Sequence, residues 1–299
     1  MKWTTTTLKF WENRQTVQLS SILGNSKLFI SVIVILFIFL SVTIGPMLTE
    51  HDPDKVNPVD RLNPPSALSE TNSDYLLGTD NFGRDLLTRV LYGGRFTLFI
   101  GLTATFLGLL VGVPTGMMSG YIGGKLDEAV MRFLDALMGF PSLLLALLIL
   151  TTLSPSAWNA ILAVSIAFVP RIARVARSNT LSIANEEYVK AAEARGESSF
   201  SIVFREILPN LWPPIIIEGT IRVGYAILIA SSLSFLGLGP QPPTPEWGVM
   251  VAEARNYTHA SAWYLLWPSL ALALTITIFN ILGDGLREVL DPRTAEGNN

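Results

Sequence analysis

Long apolar runs separated by short polar segments dominate the chain. A helix rises about 1.5 Å per residue and the hydrocarbon layer of a membrane is about 30 Å thick, so one crossing needs roughly 20 mostly apolar residues. Six runs are candidates: 28–48, 96–118, 133–153, the shorter and weaker 157–173, a run that follows Pro213 and Pro214 and ends at Leu236, and 262–282. The pattern predicts an all-α membrane protein with six transmembrane helices.

The distribution of Lys and Arg predicts the orientation, because short basic loops stay in the cytoplasm. Placing both termini inside puts most of the basic residues in inner segments. The predicted order is a cytoplasmic segment 1–27, an uncleaved anchor helix 28–48, an extracytoplasmic loop 49–95 with an amphipathic segment, and a core of five transmembrane helices at 96–285. That core includes a polar cytoplasmic loop, 177–212, and a cytoplasmic tail follows at 286–299.

Composition narrows the chemistry that the chain can perform. Hydrophobic residues make up 49% of the 299 residues and charged residues only 15%, which fits a membrane protein. Cysteine is absent, so disulfides and thiol nucleophiles are excluded. Only two histidines are available for a metal site or for acid/base catalysis. We expect no catalytic residues, no metal site and no nucleic-acid partner. A membrane-embedded enzyme and a stand-alone channel are the rival classes.

Small residues recur every four positions in the second run, at Ala104, Gly108, Gly112 and Gly116. This spacing leaves one helix face nearly bare, so another backbone can approach closely in lipid. The stripe predicts helix packing, either inside the chain or at a seam with a second membrane subunit.

Glu218 and Arg222 lie four residues apart in the fifth run and would share a helix face. An isolated charge at membrane depth is costly, so an ion pair within the helix is one interpretation. The alternative is that the two side chains line a polar translocation path or contact a partner subunit.

The polar segment between the fourth and fifth runs predicts two short helices. Asn185 is a candidate N-cap for the first, and Gly196 is a candidate left-handed terminator. Ser198 or Ser199 can begin the second, and Pro209 is expected to end it, because proline lacks the N–H donor and restricts Leu208.

Several motifs resemble those of one family of membrane subunits. Ala191, Ala192 and Gly196, followed by Leu208 and Pro209, resemble the coupling loop of ABC importers. Six further segments resemble, in the same order, the dipeptide, oligopeptide and nickel permease family: LGTDNFGRDLLTRVLYGGR (77–95), YIGGKLDEAVMRFLD (121–135), FPSLLLA (140–146), SFLGLG (234–239), PEWG (245–248) and NILGDGLREVLDPR (280–293). The first run and the long loop after it resemble the C-type member of the paired subunits.

The resemblance implies a type I ABC importer permease fold in a bacterial or archaeal plasma membrane. It implies import of peptides, or alternatively of nickel or a metal chelate, delivered by an extracytoplasmic binding protein. The implied partners are a homologous B-type permease subunit, membrane lipid and two ATPase subunits that bind ATP and Mg, while this chain binds no cofactor. Residues 177–212 would be the coupling loop, and its contact residues would be Tyr188, Ala191, Ala192, Gly196, Leu208 and Pro209.

Overall fold

The structure is a computed structural model that describes residues 25–68 and 74–290. The helices that organise the described residues are α1 (Ser26–Leu48), α2 (Leu86–Ile122), α3 (Gly124–Met138), α4 (Ser142–Leu150), α5 (Ala157–Ile183), α6 (Glu187–Ala194), α7 (Leu208–Phe235), α8 (Trp247–Ala254) and α9 (Ala262–Leu290). A short turn, Ser199–Ser201, and a π-helical segment, Ile202–Ile207, lead directly into α7. Short 3-10 turns, Pro58–Asp60 and Ser66–Leu68, lie in the loop after α1, and a third, Arg255–Tyr257, follows α8.

Five of these helices are long and apolar enough to cross a membrane. They are α1, α2, α5, the continuous helix Ser199–Phe235, and α9. The pair α3 and α4 makes a sixth crossing only if the two are counted as one span. The all-helical membrane fold is therefore confirmed for the described residues. The cytoplasmic placement of both termini stays a prediction, because residues 1–24 and 291–299 lie outside the described part of the chain.

The predicted third run, 133–153, is not one straight helix. It divides between α3 and α4, whose axes differ by 88°. Pro141 lies outside both helices with an extended backbone and forms the N-cap position of α4. Helix α3 ends at Met138, and because proline disfavours a helical conformation at the residue before it, Phe140 does not continue the helix and the chain changes direction there.

The glycine stripe of α2 packs inside the chain, against α5. A side chain at Gly112 would lie 2.7 Å from Cγ2 of Ile172, and one at Gly116 would lie 2.9 Å from Cβ of Ala176. Ordinary carbon contacts are about 3.5–4.0 Å, so only glycine permits this approach of the two helices. Gly108 faces the same helix at Ser165 and Ile172. In the described residues this face is therefore covered from within the chain, by α5.

Helix α5 is longer than the predicted 157–173 and continues past the apolar stretch to Ile183. Its added turns carry arginines that pair with α3. Both oxygens of Asp127 accept hydrogen bonds of 2.6 Å from Arg177, and Arg174 pairs with Asp135. These ion pairs hold α3 against the polar end of α5.

Helix α1 packs along one side only, against α2 and α9. Pro46 lies inside it and has no N–H for the carbonyl oxygen of Val42. Arg95 of α2 supplies the missing donor: its Nε lies 2.6 Å from that oxygen, and its Nη2 lies 2.6 Å from the carbonyl oxygen of Thr43. The residues predicted as the end of an outer loop, 86–95, are thus the first turns of α2, and they anchor α1.

Candidate functional site

Helix α6 presents one face to its own chain and another outward. Val189 and Ala192 are fully buried in the same apolar cluster as Val203 of the π-helical segment. Tyr188 and Ala191 are exposed on the other side. Of the two alanines expected to contact a partner, Ala192 is buried against its own chain and only Ala191 faces outward. The small side chain of Ala192 lets α6 pack closely on its own chain. The small side chain of Ala191 leaves room for another molecule to approach the outer face of α6.

Gly196 lies two residues after the end of α6 and has a left-handed backbone φ of 77°, as predicted. Its N–H donates to the carbonyl oxygen of Glu193 at 2.9 Å, and the N–H of Glu197 donates to Ala192 at 3.3 Å. No atom lies within 4 Å of the position that a side chain at Gly196 would occupy, so glycine is needed there for its backbone conformation and not for space. Arg195 binds the carboxylate of Glu197 at 2.6 Å and lowers its pKa.

Two details of the predicted helices are wrong. The N-cap position of α6 is Glu186, while the side chain of Asn185 donates back to the carbonyl oxygen of Leu181. Pro209 does not end a helix, because it lies in the first turn of α7, where its missing N–H is tolerated. The preceding π-helical segment changes the hydrogen-bond register, so one continuous helix runs from Ser199 to Phe235. Leu208 and Pro209 are half-buried at this junction.

Helix α6 is also attached to α2. The hydroxyl of Tyr121, in the last turn of α2, donates to Oε1 of Glu193 at 2.9 Å. The packing of Val189 and Ala192 against the π-helical segment forms the second attachment. A force on α6 would therefore reach both α2 and α7 through direct contacts.

Glu218 and Arg222 form an ion pair on α7, as one of the two interpretations predicted. Nε of Arg222 donates to Oε1 of Glu218 at 2.6 Å, and Nη2 lies 2.5 Å from the same oxygen. The guanidinium carbon lies 5.6 Å from the ring centre of Phe168 and 5.8 Å from that of Tyr225. Such placement over aromatic rings stabilises a cation.

Sequence reasoning missed a buried charged cluster near the start of α2. Arg84 donates from Nε to Asp80 at 2.6 Å, and Arg89 lies 3.4 Å from the same carboxylate. Both arginines also approach Glu253 of α8. The hydroxyl of Tyr264 of α9 donates to that glutamate at 3.2 Å. The motif 77–95, which holds two arginines and two aspartates within ten residues, could have indicated a charged cluster. The spacing of these residues does not reveal their partners from α8 and α9.

Glu246 is a second buried acid that sequence reasoning left without a role. Its Oε2 accepts from the backbone N–H of Val249 at 3.0 Å and caps α8, and its Oε1 accepts from the hydroxyl of Thr97 at 3.0 Å. Burial raises the pKa of this carboxyl group. The side chain thus joins α8 to α2 at the end of the protein opposite to α6.

The described residues show no grouping of three or more His, Asp or Glu side chains that could hold a metal ion. The carboxylates described above pair with arginines, cap a helix or, in the case of Glu193, accept from a tyrosine hydroxyl. Binding, packing and transmission of movement are the roles that this arrangement supports.

Comparison with known proteins gives one consistent result. Residues 112–296 match the family described as binding-protein-dependent transport system inner membrane component. The dipeptide transport system permease protein DppC of Alkalihalophilus pseudofirmus is 40% identical over 272 residues, covering 91% of this chain and 88% of that protein. The glutathione transport system permease protein GsiD of Pectobacterium atrosepticum is 38% identical over 261 residues, covering 86% and 85%.

The fold has a counterpart among solved structures. An inward-facing structure of the MetNI methionine ABC transporter aligns with a TM-score of 0.56 at 20% identity, covering 67% of this chain and 96% of the matched chain. Relatives of this chain are named as permease proteins of transport systems, so the chain is a transport component and not an enzyme. With several membrane-spanning helices and a family match over more than half of its length, the chain belongs to the binding-protein-dependent transport system inner membrane components, in a form similar to the dipeptide permease DppC.

Proposed function

We propose that this chain is a permease subunit of an ATP-driven importer of di- or oligopeptides in a bacterial or archaeal plasma membrane. The observation that carries the proposal is the near full-length similarity to permeases named for dipeptide and glutathione transport. Glutathione is itself a peptide, so both names point to the same class of solute. Nickel or a metal chelate is the alternative cargo, which the family resemblance leaves open.

The outer face of α6 is the proposed docking surface for an ATPase subunit. Tyr188, Ala191 and Arg195 are spaced i, i+3, i+7, so they share one helix face. All three are exposed, and exposed Phe200 follows in the next turn. The aromatic side chains would supply contact area, while the small Ala191 would admit a groove wall of the ATPase. Gly196 would let the chain turn away after this contact.

Movement of the ATPase would reach the membrane helices through the two attachments of α6. The Tyr121 to Glu193 hydrogen bond connects α6 to α2, and the packing of Ala192 connects it to the helix that becomes α7. Because the helix is continuous through Leu208 and Pro209, displacement at Ser199 would tilt α7 instead of bending a loop. ATP and Mg would bind to two ATPase subunits, and this chain would bind no cofactor.

The remaining proposed partners lie beside and outside the membrane. A homologous B-type permease subunit would complete the translocation path, and a binding protein would deliver the peptide at the end of the molecule opposite to α6. Surrounding lipid would contact the exposed apolar side chains of α1, such as Phe37.

Purification of the tagged chain from its own cells tests the proposal. A second permease chain and ATPase chains should co-purify, and the complex in vesicles should take up alanylalanine when ATP and the binding protein are supplied. Ala191→Trp should release the ATPase chains, whereas Ala129→Trp, at an exposed alanine of α3, should retain them. Peptide uptake without ATP, or a functional chain that purifies alone, would refute the proposal.

A further inference from the structure

Glu218 and Arg222 lie at membrane depth on α7. Trp212 is exposed toward the α6 end of this helix. At a rise of about 1.5 Å per residue, Arg222 lies about 15 Å beyond Trp212 and about 20 Å before Phe235. With exposed Trp212 placed at the membrane interface, where tryptophan is enriched, a hydrocarbon layer of about 30 Å puts Arg222 near its middle. Charged side chains at that depth do not face lipid, which places this part of α7 against protein or an aqueous path.

Tyr225 extends the same helix face. The positions 218, 222 and 225 are spaced i, i+4, i+7, so their side chains lie along one side of α7. The Tyr225 side chain is 46% exposed, and the charged pair is 12% and 11% exposed. The aromatic ring of Phe168 lies beneath the guanidinium and fixes its position.

Hydrogen-bonding capacity remains on this face. Both bonds of the ion pair end on Oε1 of Glu218. With the residues that the structure describes, Oε2 of Glu218, Nη1 of Arg222 and the hydroxyl of Tyr225 make no hydrogen bond. One negative group, one positive group and one hydroxyl are thus available side by side at a depth where unsatisfied polar groups are costly.

We propose that this face binds the two charged ends of a peptide during translocation. At neutral pH a free peptide carries a carboxylate and an ammonium group. The carboxylate would accept hydrogen bonds from Arg222 and from the hydroxyl of Tyr225, and the ammonium group would donate to Glu218. Opposite charges that are matched and hydrogen-bonded in this way repay part of the cost of removing water from both ends of the peptide. This inference rests on the proposed import of peptides.

The test measures the number of alanylalanine molecules imported per ATP hydrolysed by the complete complex in vesicles. Glu218→Gln combined with Arg222→Met removes both charges without leaving either one unpaired. The matched control is Glu128→Gln combined with Arg132→Met, which removes an ion pair of the same i, i+4 spacing from the exposed surface of α3. Tyr225→Phe removes only the hydroxyl.

The inference predicts that the Glu218 and Arg222 variant hydrolyses ATP but imports about tenfold less peptide per ATP, equivalent to about 1.4 kcal/mol. The control variant should import at the wild-type ratio. If the Glu218 and Arg222 variant does not assemble, Tyr225→Phe decides: a lowered ratio supports the inference, and an unchanged ratio overturns it.

A purely structural ion pair gives a different result. The Glu218 and Arg222 variant would then assemble and import at the wild-type ratio, which would overturn the inference and leave the proposed function intact. A wild-type complex that imports no peptide would refute the proposed function, and this inference with it.

Discussion

Gly116 is the position in the glycine stripe where an added methyl group has least room. In Gly116→Ala the new Cβ would lie 2.9 Å from Cβ of Ala176 and closer still to the carbonyl oxygen of Ala173. Carbon atoms pack at about 3.5–4.0 Å, so α2 and α5 must separate by at least about 0.6 Å. Overpacking of this kind costs roughly 1–3 kcal/mol, and the better helix propensity of alanine returns about 1 kcal/mol. Because the nearest atom is a backbone oxygen, which cannot rotate away, we expect a cost in the upper half of that range and a net loss of about 1–2 kcal/mol in the free energy of unfolding.

Gly108→Ala is the matched control on the same helix face. Its Cβ would lie 3.3 Å from Cδ1 of Ile172, the end of a flexible side chain, and 3.3 Å from the carbonyl oxygen of Ser165. We expect its stability to stay within about 0.5 kcal/mol of the wild type, because the propensity gain offsets a small shift. Unfolding in mixed detergent micelles, followed by helical circular dichroism, measures both variants. Equal destabilisation by the two substitutions would refute the packing argument.

Two further predictions concern the coupling segment and the anchor helix. Gly196→Ala and Gly124→Ala both place alanine at a positive φ with open space around it, so each should lower the free energy of unfolding by about 1–2 kcal/mol. Only Gly196→Ala should also lower peptide-stimulated ATP hydrolysis. Equal effects of the two substitutions on hydrolysis would contradict the role of α6. Arg95→Met leaves the carbonyl oxygen of Val42 without its donor and should lower stability by about 1–3 kcal/mol, measured by thermal unfolding in detergent, whereas Arg132→Met, at an exposed ion pair, should change it by less than about 1 kcal/mol.

The membrane-spanning helices were predictable because hydrophobic run length is a local property of the sequence. The packing stripe at Gly108, Gly112 and Gly116 was predictable for the same reason, since the spacing alone defines a bare helix face. The conformation of Gly196 followed from its position after a run of helix formers. Which helix covers the stripe did not follow, because it depends on the tertiary arrangement of α5.

The predictions that failed depend on neighbouring or distant segments whose conformation a local residue pattern does not specify. Local rules predict that Pro209 ends a helix, but the π-helical segment before it changes the hydrogen-bond register, so the missing N–H is tolerated and the helix continues. The division of the third run at Pro141 depends on the direction that α4 takes to pack on α5. The buried arginine cluster unites Arg84 and Arg89 with residues far along the chain, and a single sequence gives no pairing information for them.

The central claim is that the outer face of α6 rests on an ATP-hydrolysing subunit. Replacing Ala191 by the photoreactive p-benzoylphenylalanine, in the complete complex in its own membrane, tests this claim directly, with the same replacement at exposed Ala129 as the control. Illumination should join the chain to an ATPase subunit from position 191 and not from position 129. A complex that still imports peptide but forms no such product from position 191 would contradict the account.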